Sequence, residues 1–180
     1  MKKAGIVIAL ILIAAFAVLV YSGLFTSVKI IEKNMGPYKA VYEDHKGSYS
    51  KIAPVMDSVF KKLKAEGINT TTGIGIYYDN PSEVAETDLR SKGGCVIDRD
   101  VLKKFEKIQT KFKTIDIPEY KCITVEFPVR TQVSFIIGII KAYPKIKQYM
   151  DEKKLKTVDA PYELYENNNK MIIIFPIGKV

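Results

Sequence analysis

Three rhythms of apolar and polar residues run along this chain, and they predict different elements. From Ala4 to Phe25, AGIVIALILIAAFAVLVYSGLF, twenty-two residues pass without a charge. At about 1.5 Å rise per residue, a helix of that length crosses the roughly 30 Å hydrocarbon core of a bilayer. From Lys51 to Glu66 the apolar residues Ile52, Val55, Met56, Val59, Phe60 and Leu63 recur at helical spacing, and Gly67 marks the stop. Elsewhere short strand-like runs alternate with turn residues. Val28–Ile31 and Tyr38–Glu43 flank Asn34, Gly36 and Pro37, and Gly73–Tyr78 is closed by Asp79, Asn80 and Pro81. Gly94–Ile97 forms a fourth strand.

The order then returns. Phe112–Ile117 and Tyr120–Phe127 read as strands around Pro118 and Glu119. Thr131–Lys153 reads as a helix with Val133, Ile136, Ile137 and Ile140 as its apolar stripe, and Pro144 predicts a kink or a second start. Tyr162–Glu166 and Lys170–Ile177 read as a hairpin turning at Asn167, Asn168 and Asn169. Two strings recur in the same order around a helix. Pro37-Tyr38-Lys39-Ala40-Val41 parallels Glu119-Tyr120-Lys121-Cys122-Ile123, and Ile76-Tyr77-Tyr78-Asp79-Asn80 parallels Glu163-Leu164-Tyr165-Glu166-Asn167. These predict an internal duplication, with halves at about residues 28–98 and 109–178. The fold class is α+β: an antiparallel sheet with helices on one face and a groove where the halves meet. The division is an anchor over residues 1–25 and one domain over residues 26–180.

Charge changes the picture only slightly. The net charge is +8, and Lys2 and Lys3 supply two of those charges. Lysine outnumbers arginine and is interleaved with acids, which argues against a nucleic-acid surface and fits a solvated one near anionic lipid. Lys2 and Lys3 place the amino end in the cytoplasm and the domain on the non-cytoplasmic side, as a single-pass membrane protein in contact with the bilayer through residues 4–25. The segment is longer than a usual signal core and lacks a clean A-x-A site, so an uncleaved anchor is expected over a signal peptide.

Candidate chemistry is sparse. Cys95 and Cys122 are either one bridge or two buried thiols. His45 is the only histidine; no zinc spacing exists, and neither a metal nor a cofactor is expected. His45, beside Asp44, belongs to a strand-to-helix corner. Strand alternation places Ile123, Val125 and Phe127 toward the helices and Cys122, Thr124 and Glu126 away from them. By the same repeat Ala40, Tyr42 and Asp44 share a face, and Tyr78 and Tyr165 are equivalent. Tyr42, Tyr78, Glu126 and Tyr165 are therefore candidate ligand-binding residues on the face away from the helices, and Tyr77 is a further candidate from the same strand end. Aromatic walls and a carboxylate there would hold a small apolar, aromatic or cationic molecule. A filled groove and a face for a protein partner are the alternatives. No catalytic residue is assigned, though a Tyr/Glu pair with a raised carboxyl pKa could act on a strained electrophile.

Several strings also resemble a known family. His45-Lys46-Gly47-Ser48-Tyr49 is similar to the H-x-G-x-Y segment of GyrI-like (gyrase-inhibitor-like) effector-binding domains. Gly75-Ile76-Tyr77-Tyr78-Asp79-Asn80-Pro81 resembles their G-I-Y-Y-D-x-P strand end, and Phe175-Pro176-Ile177 their final strand. Phe127-Pro128-Val129, Ala142-Tyr143-Pro144 and Pro161-Tyr162-Glu163-Leu164-Tyr165 look like its membrane-anchored branch, typified by the testis-expressed endoplasmic-reticulum autophagy receptor. The resemblance implies a duplicated βαββ unit with a pseudo-twofold groove for small molecules, and in some relatives hydrolysis of cyclopropane-containing toxins. It also implies an acidic ligand residue on the last strand, four residues before Pro176, which makes Ile172 a further candidate ligand-binding position. Isoleucine cannot serve there, so Glu126 or Glu163 would have to substitute from another strand. The receptor branch carries its partner motif on a long disordered tail; this sequence ends at Val180, so what transfers is anchor plus domain.

Overall fold

A computed structural model describes residues 2–166 and 169–179. Its elements in chain order are α1 (Lys2–Tyr21), β1 (Ile30–Met35), β2 (Tyr38–Lys46), α2 (Ile52–Ala65), β3 (Thr72–Tyr77), β4 (Arg90–Val96), α3 (Leu102–Glu106), β5 (Thr114–Ile117), β6 (Tyr120–Pro128), α4 (Gln132–Lys153), β7 (Leu155–Thr157), β8 (Tyr162–Glu166) and β9 (Lys170–Lys179). The expected strands and long helices are present, with ends shifted by a few residues. The short α3 and β7 lie outside the elements that the sequence pattern predicts. Asn167 and Asn168 of the expected hairpin turn lie outside the described residues. Pro144 does not divide α4, which runs unbroken past it while Ala142 and Ile146 stay buried on either side.

All pairings are antiparallel, in the order β1-β6-β9-β8-β3-β4-β2-β5, with β7 joined to β9. This order is a palindrome of the two halves. Each half contributes its first strand to the other: β1 pairs with β6, and β5 with β2. The halves meet at β3 and β8, where Gly75 lies opposite Glu163 and Gly73 opposite Tyr165.

The exchange forces the sheet to curl. Met35 and Tyr38 are three residues apart in sequence, within roughly 11 Å. Their strands are six positions apart in the sheet, which flat would be roughly 29 Å. The ends must therefore come together, and they touch at the two turns. Gly36 (φ +99°) sits so close to the Pro118 carbonyl that a Cβ there would fall 2.7 Å from its oxygen. Only glycine combines that backbone angle with that approach.

Curling gives the sheet two cores. On the outer, helix-bearing face α4 packs Ile137, Ala142 and Ile146 on Ile123, Val125, Phe127, Met171 and Ile173. There α2 packs Val59 and Leu63 with Val41 and Cys95, capped by Phe105 of α3. Inside the curl, Ala40, Ile74, Ile76, Cys122, Tyr162, Leu164, Ile172 and Ile174 form a second buried cluster without any helix. Cys95 and Cys122 are thus free thiols on opposite faces, and burial pushes each up to about 11.

The outer core has little slack. A Cβ on Gly138 of α4 would fall 2.6 Å from Met171 and 3.0 Å from Phe127. Gly138→Val should therefore cost about 1–3 kcal/mol through overpacking, read as a lower denaturant midpoint at unchanged slope.

The apolar helix α1 is exposed along its length and is the one described helix long and apolar enough to cross a membrane. Packing against the domain begins just after it, at Ser22 and Gly23, both buried.

Candidate functional site

The glycines of β3 prepare the site. Side chains of a strand alternate, so Gly73, Gly75 and Tyr77 share the outer face, as do Glu163 and Tyr165 on the neighbouring strand. Two glycines opposite those two large side chains leave a gap above the sheet that side chains fill: Met56 of α2 comes within 3.5 Å of the place a Gly73 Cβ would take, and α4 reaches over β8 from the other side. Tyr77 folds back over Gly75, where a Cβ would lie 2.6 Å from its hydroxyl. Tyr49, from the turn before α2, packs on the Tyr77 ring at 4.8 Å. Tyr49 is itself pinned, its hydroxyl donating to the Asp79 carbonyl at 2.9 Å and accepting from the Asp79 N–H at 3.0 Å. From α4, Phe135 packs edge-on to Tyr165 at 5.6 Å.

Glu163 lies at the floor of this gap, 2% exposed. It accepts from Tyr77 at 3.1 Å on Oε2 and from Tyr143 of α4 at 3.0 Å on Oε1, and the Tyr165 hydroxyl also bonds to Oε2. The Tyr77 and Tyr165 hydroxyl oxygens also lie 3.1 Å apart; each has one proton, so this contact becomes a bond only when one of them turns from Glu163. No lysine or arginine pairs with Glu163 among the described residues. Burial raises its carboxyl above the usual range, and the tyrosine hydroxyls only partly offset this. Burial and the adjacent carboxylate push Tyr77, Tyr143 and Tyr165 well above the ordinary phenol value, so the three act as donors. The arrangement is a buried carboxyl cupped by aromatic rings and lacking a counter-charge.

The candidate residues divide between this site and other places. Tyr77 and Tyr165 come together, but on the helix-bearing face, not on the face away from it. Tyr78 is not the equivalent of Tyr165. The repeat alignment there slips by one residue, and a slip of one flips a strand residue to the other side. Tyr42 and Tyr78 instead sandwich the Lys92 ammonium, at 4.7 and 4.8 Å from their ring centres, with Asp44 at 3.4 Å. That aromatic pair is already filled by the chain's own cation. Glu126 stands half-exposed, 2.7 Å from Lys33 and 3.7 Å from Lys170, and those lysines hold its carboxyl below the usual range. It does not reach the gap. Ile172 pairs with Glu126 across β6 and β9 but points into the curl, 3% exposed. Its position therefore faces away from the groove, and its being apolar does not remove acid from the site. His45 does sit at the strand-to-helix corner, its Nε2 3.1 Å from the Ser48 carbonyl oxygen.

The sequence pattern offers Glu163 only as a substitute acid and does not single out Tyr143. The alternation Tyr162-Glu163-Leu164-Tyr165 carries the signal, because it puts Glu163 beside Tyr165 and opposite Gly75. Tyr143 has no such signal, since only the placement of α4 brings it over β8.

A separate cleft of about 530 Å³ lies at the mouth of the curl, lined by Tyr38, Asp98, Arg99 and Asp116 among others. Each of its charged side chains is at least partly exposed, and Lys39 and Asp116 are paired at 2.9 Å. It holds no buried ionisable group, so the Glu163 gap is the better candidate.

The raised carboxyl makes stability depend on pH. The folded chain holds the Glu163 proton to higher pH than the unfolded chain does. This contribution is fully present below the ordinary carboxylate pKa and is lost as pH rises through the folded value. Denaturation of wild type and Glu163→Gln across pH should give a difference that moves in favour of the glutamine chain as pH rises. A constant difference would mean that the carboxyl is not shifted.

The described architecture recurs in solved structures. The C-terminal domain of EcmrR superposes with a TM-score of 0.62 at 15% identity, covering 85% of this chain and 99% of that one. EcmrR in a cryo-EM complex with DNA gives 0.65 at 16% identity over 99% of this chain and 69% of that one. SAV2435, a structure bound to tetraphenylphosphonium, gives 0.53 at 10% identity over 85% and 94%. At these identities the likeness is one of fold. No curated protein matches the chain. The family model for the GyrI-like small molecule binding domain matches residues 27–177, nearly the whole of the folded part, and the chain belongs to that family.

Proposed function

We propose that the chain is a membrane-tethered binding module for a small apolar aromatic molecule that carries positive charge. The observation that carries this reading is Glu163, a buried carboxyl surrounded by tyrosines with no cation beside it among the described residues. Aromatic faces attract a delocalised cation, and an ionised Glu163 would supply the missing counter-charge. The tyrosine hydroxyls now hold the carboxyl, so an occupant must enter from between α2 and α4 and displace at least one ring. Tyr77 is the candidate, because it covers Gly75 and rests on the partly exposed Tyr49. The tetraphenylphosphonium held by SAV2435 is a molecule of the same class and supplies a probe.

The tether is α1, with Lys2 and Lys3 on the cytoplasmic side and the domain on the other, in the manner of the anchored branch of the family. Calorimetric titration of the full chain in detergent with tetraphenylphosphonium tests the binding half. Heat release with saturation supports it, and no binding at millimolar ligand would remove it. Resistance of the vesicle-bound chain to carbonate extraction tests the tether.

A second reading, hydrolysis of a strained electrophile, draws on the same raised carboxyl, which at neutral pH could hold a proton for donation. It requires turnover that Glu163→Gln abolishes.

A further inference from the structure

The chain just after α1 is stitched to α4. Arg130 Nη1 donates to the Tyr21 carbonyl at 3.1 Å, and Ser22 Oγ and Thr131 Oγ1 are 2.6 Å apart. Lys141 Nζ donates to the Thr26 carbonyl at 2.8 Å, and Lys145 Nζ to the Val28 carbonyl at 3.2 Å. The apolar helix therefore leaves the domain at a defined place beside α4. Phe25 then turns back along it, its ring 6.4 Å from that of Phe16. Phe16 lies five residues before the end of α1, which is roughly 8 Å of helix rise. If α1 crosses a bilayer, Phe25 is already below the level at which α1 ends.

On α4 itself, Ile136, Ile139 and Ile140 are 60%, 38% and 67% exposed, and Phe25 is 73% exposed. The three isoleucines follow i, i+3, i+4 spacing and so share one side of the helix. Ile140 directly precedes Lys141, whose ammonium binds the carbonyl that follows Phe25. Soluble surfaces rarely leave such large apolar side chains grouped together. Arg130 and Lys141 beside this stripe, and Tyr21 with the Arg130 guanidinium 5.8 Å from its ring, are the residue types that occupy a headgroup layer.

We infer that Ile136, Ile139 and Ile140 of α4, together with Phe25, rest in the headgroup–acyl boundary of the bilayer that α1 spans. The domain then lies on the membrane along α4 instead of swinging free on a tether. This rests on the proposed membrane reading of α1. It also sets one wall of the Glu163 gap against lipid, because Phe135 and Tyr143 belong to the same helix.

The chain contains no tryptophan, so single tryptophans report cleanly. The full-length variants Ile140→Trp, Phe16→Trp and Phe60→Trp would be reconstituted in phosphatidylcholine–phosphatidylglycerol vesicles with and without bromine on the acyl chains. Phe60 lies on α2 and serves as the domain control. The expected result is blue-shifted emission, mostly lost to brominated lipid, at positions 16 and 140, with position 60 unaffected. Quenching at 16 but not at 140 would overturn the inference and leave the tether standing. A blue shift at 140 without quenching would show the stripe covered by protein, such as a second copy, and would also overturn it. No quenching at 16 would remove the membrane reading itself and this one with it.

Discussion

Glu163→Gln should weaken tetraphenylphosphonium binding roughly thirtyfold at neutral-to-alkaline pH, about 2 kcal/mol, and should abolish its pH dependence. The glutamine keeps the shape, but it accepts through one oxygen only, its NH2 group donating on the other side, and it cannot ionise. In the wild type the empty site holds its proton above the usual carboxylate range because the group is buried. A cation favours the ionised form, so binding below that raised pKa must release a proton. Affinity therefore rises with pH through the Glu163 pKa and then levels. Titration calorimetry in two buffers of different ionisation enthalpy would detect the released proton. Equal affinity of wild type and Glu163→Gln at every pH would sink the role given to this carboxyl. The same measurement on Glu126→Gln should show no change, since that carboxylate is paired with Lys33 and Lys170 on the far side of the sheet.

The largest loss of stability is expected from Phe127→Ala, about 3–5 kcal/mol. Phe127 is fully buried on β6 and packs in the same core as Ile137, Ala142 and Met171. Its ring also lies where a Cβ on either Gly23 or Gly138 would fall, 2.8 Å and 3.0 Å away. One side chain thus joins the segment after α1, the sheet and α4, which the backbone cannot close over once it is gone. Denaturant unfolding monitored by circular dichroism should show the lower midpoint. A cost below about 1 kcal/mol would mean that the site collapses to fill the cavity. The variant should also loosen the chain near Ser22, visible as faster amide exchange there.

Much of the fold is legible in local patterns. The helical spacing of Ile52 to Leu63, the turn residues Gly36 and Pro37 and the alternation of Ile123, Val125 and Phe127 each specify an element or a face, and the structure carries all of them, whereas Asn34 belongs to β1 and not to the turn. The first repeated string, Pro37–Val41 against Glu119–Ile123, announces the duplication, and the second does so one residue out of register. The exchange of first strands between the halves is not legible, because Asn34-Met35-Gly36-Pro37 suits a simple hairpin as well as a crossing between sheet ends. Only the closing of the curl, with Gly36 against Pro118, distinguishes them.

The site shows the same division at finer scale. Amino-acid order alone established an apolar segment of spanning length, two related halves and a set of tyrosines on strands, since each depends on residues near one another along the chain. It could not establish which tyrosines face one another. Pairing β3 with β8 brings Gly75 to Glu163 across 88 positions, and packing α4 over that pair adds Tyr143. A one-residue slip of β3 would send Tyr77 into the curl and bring Ile74 and Ile76 to the gap, and a slip of β8 would bury Glu163 in the curl with Tyr162 and Leu164 in its place. Long-range register and helix placement decided where the buried carboxyl lies, because contacts between distant strands are set by the fit of both cores at once.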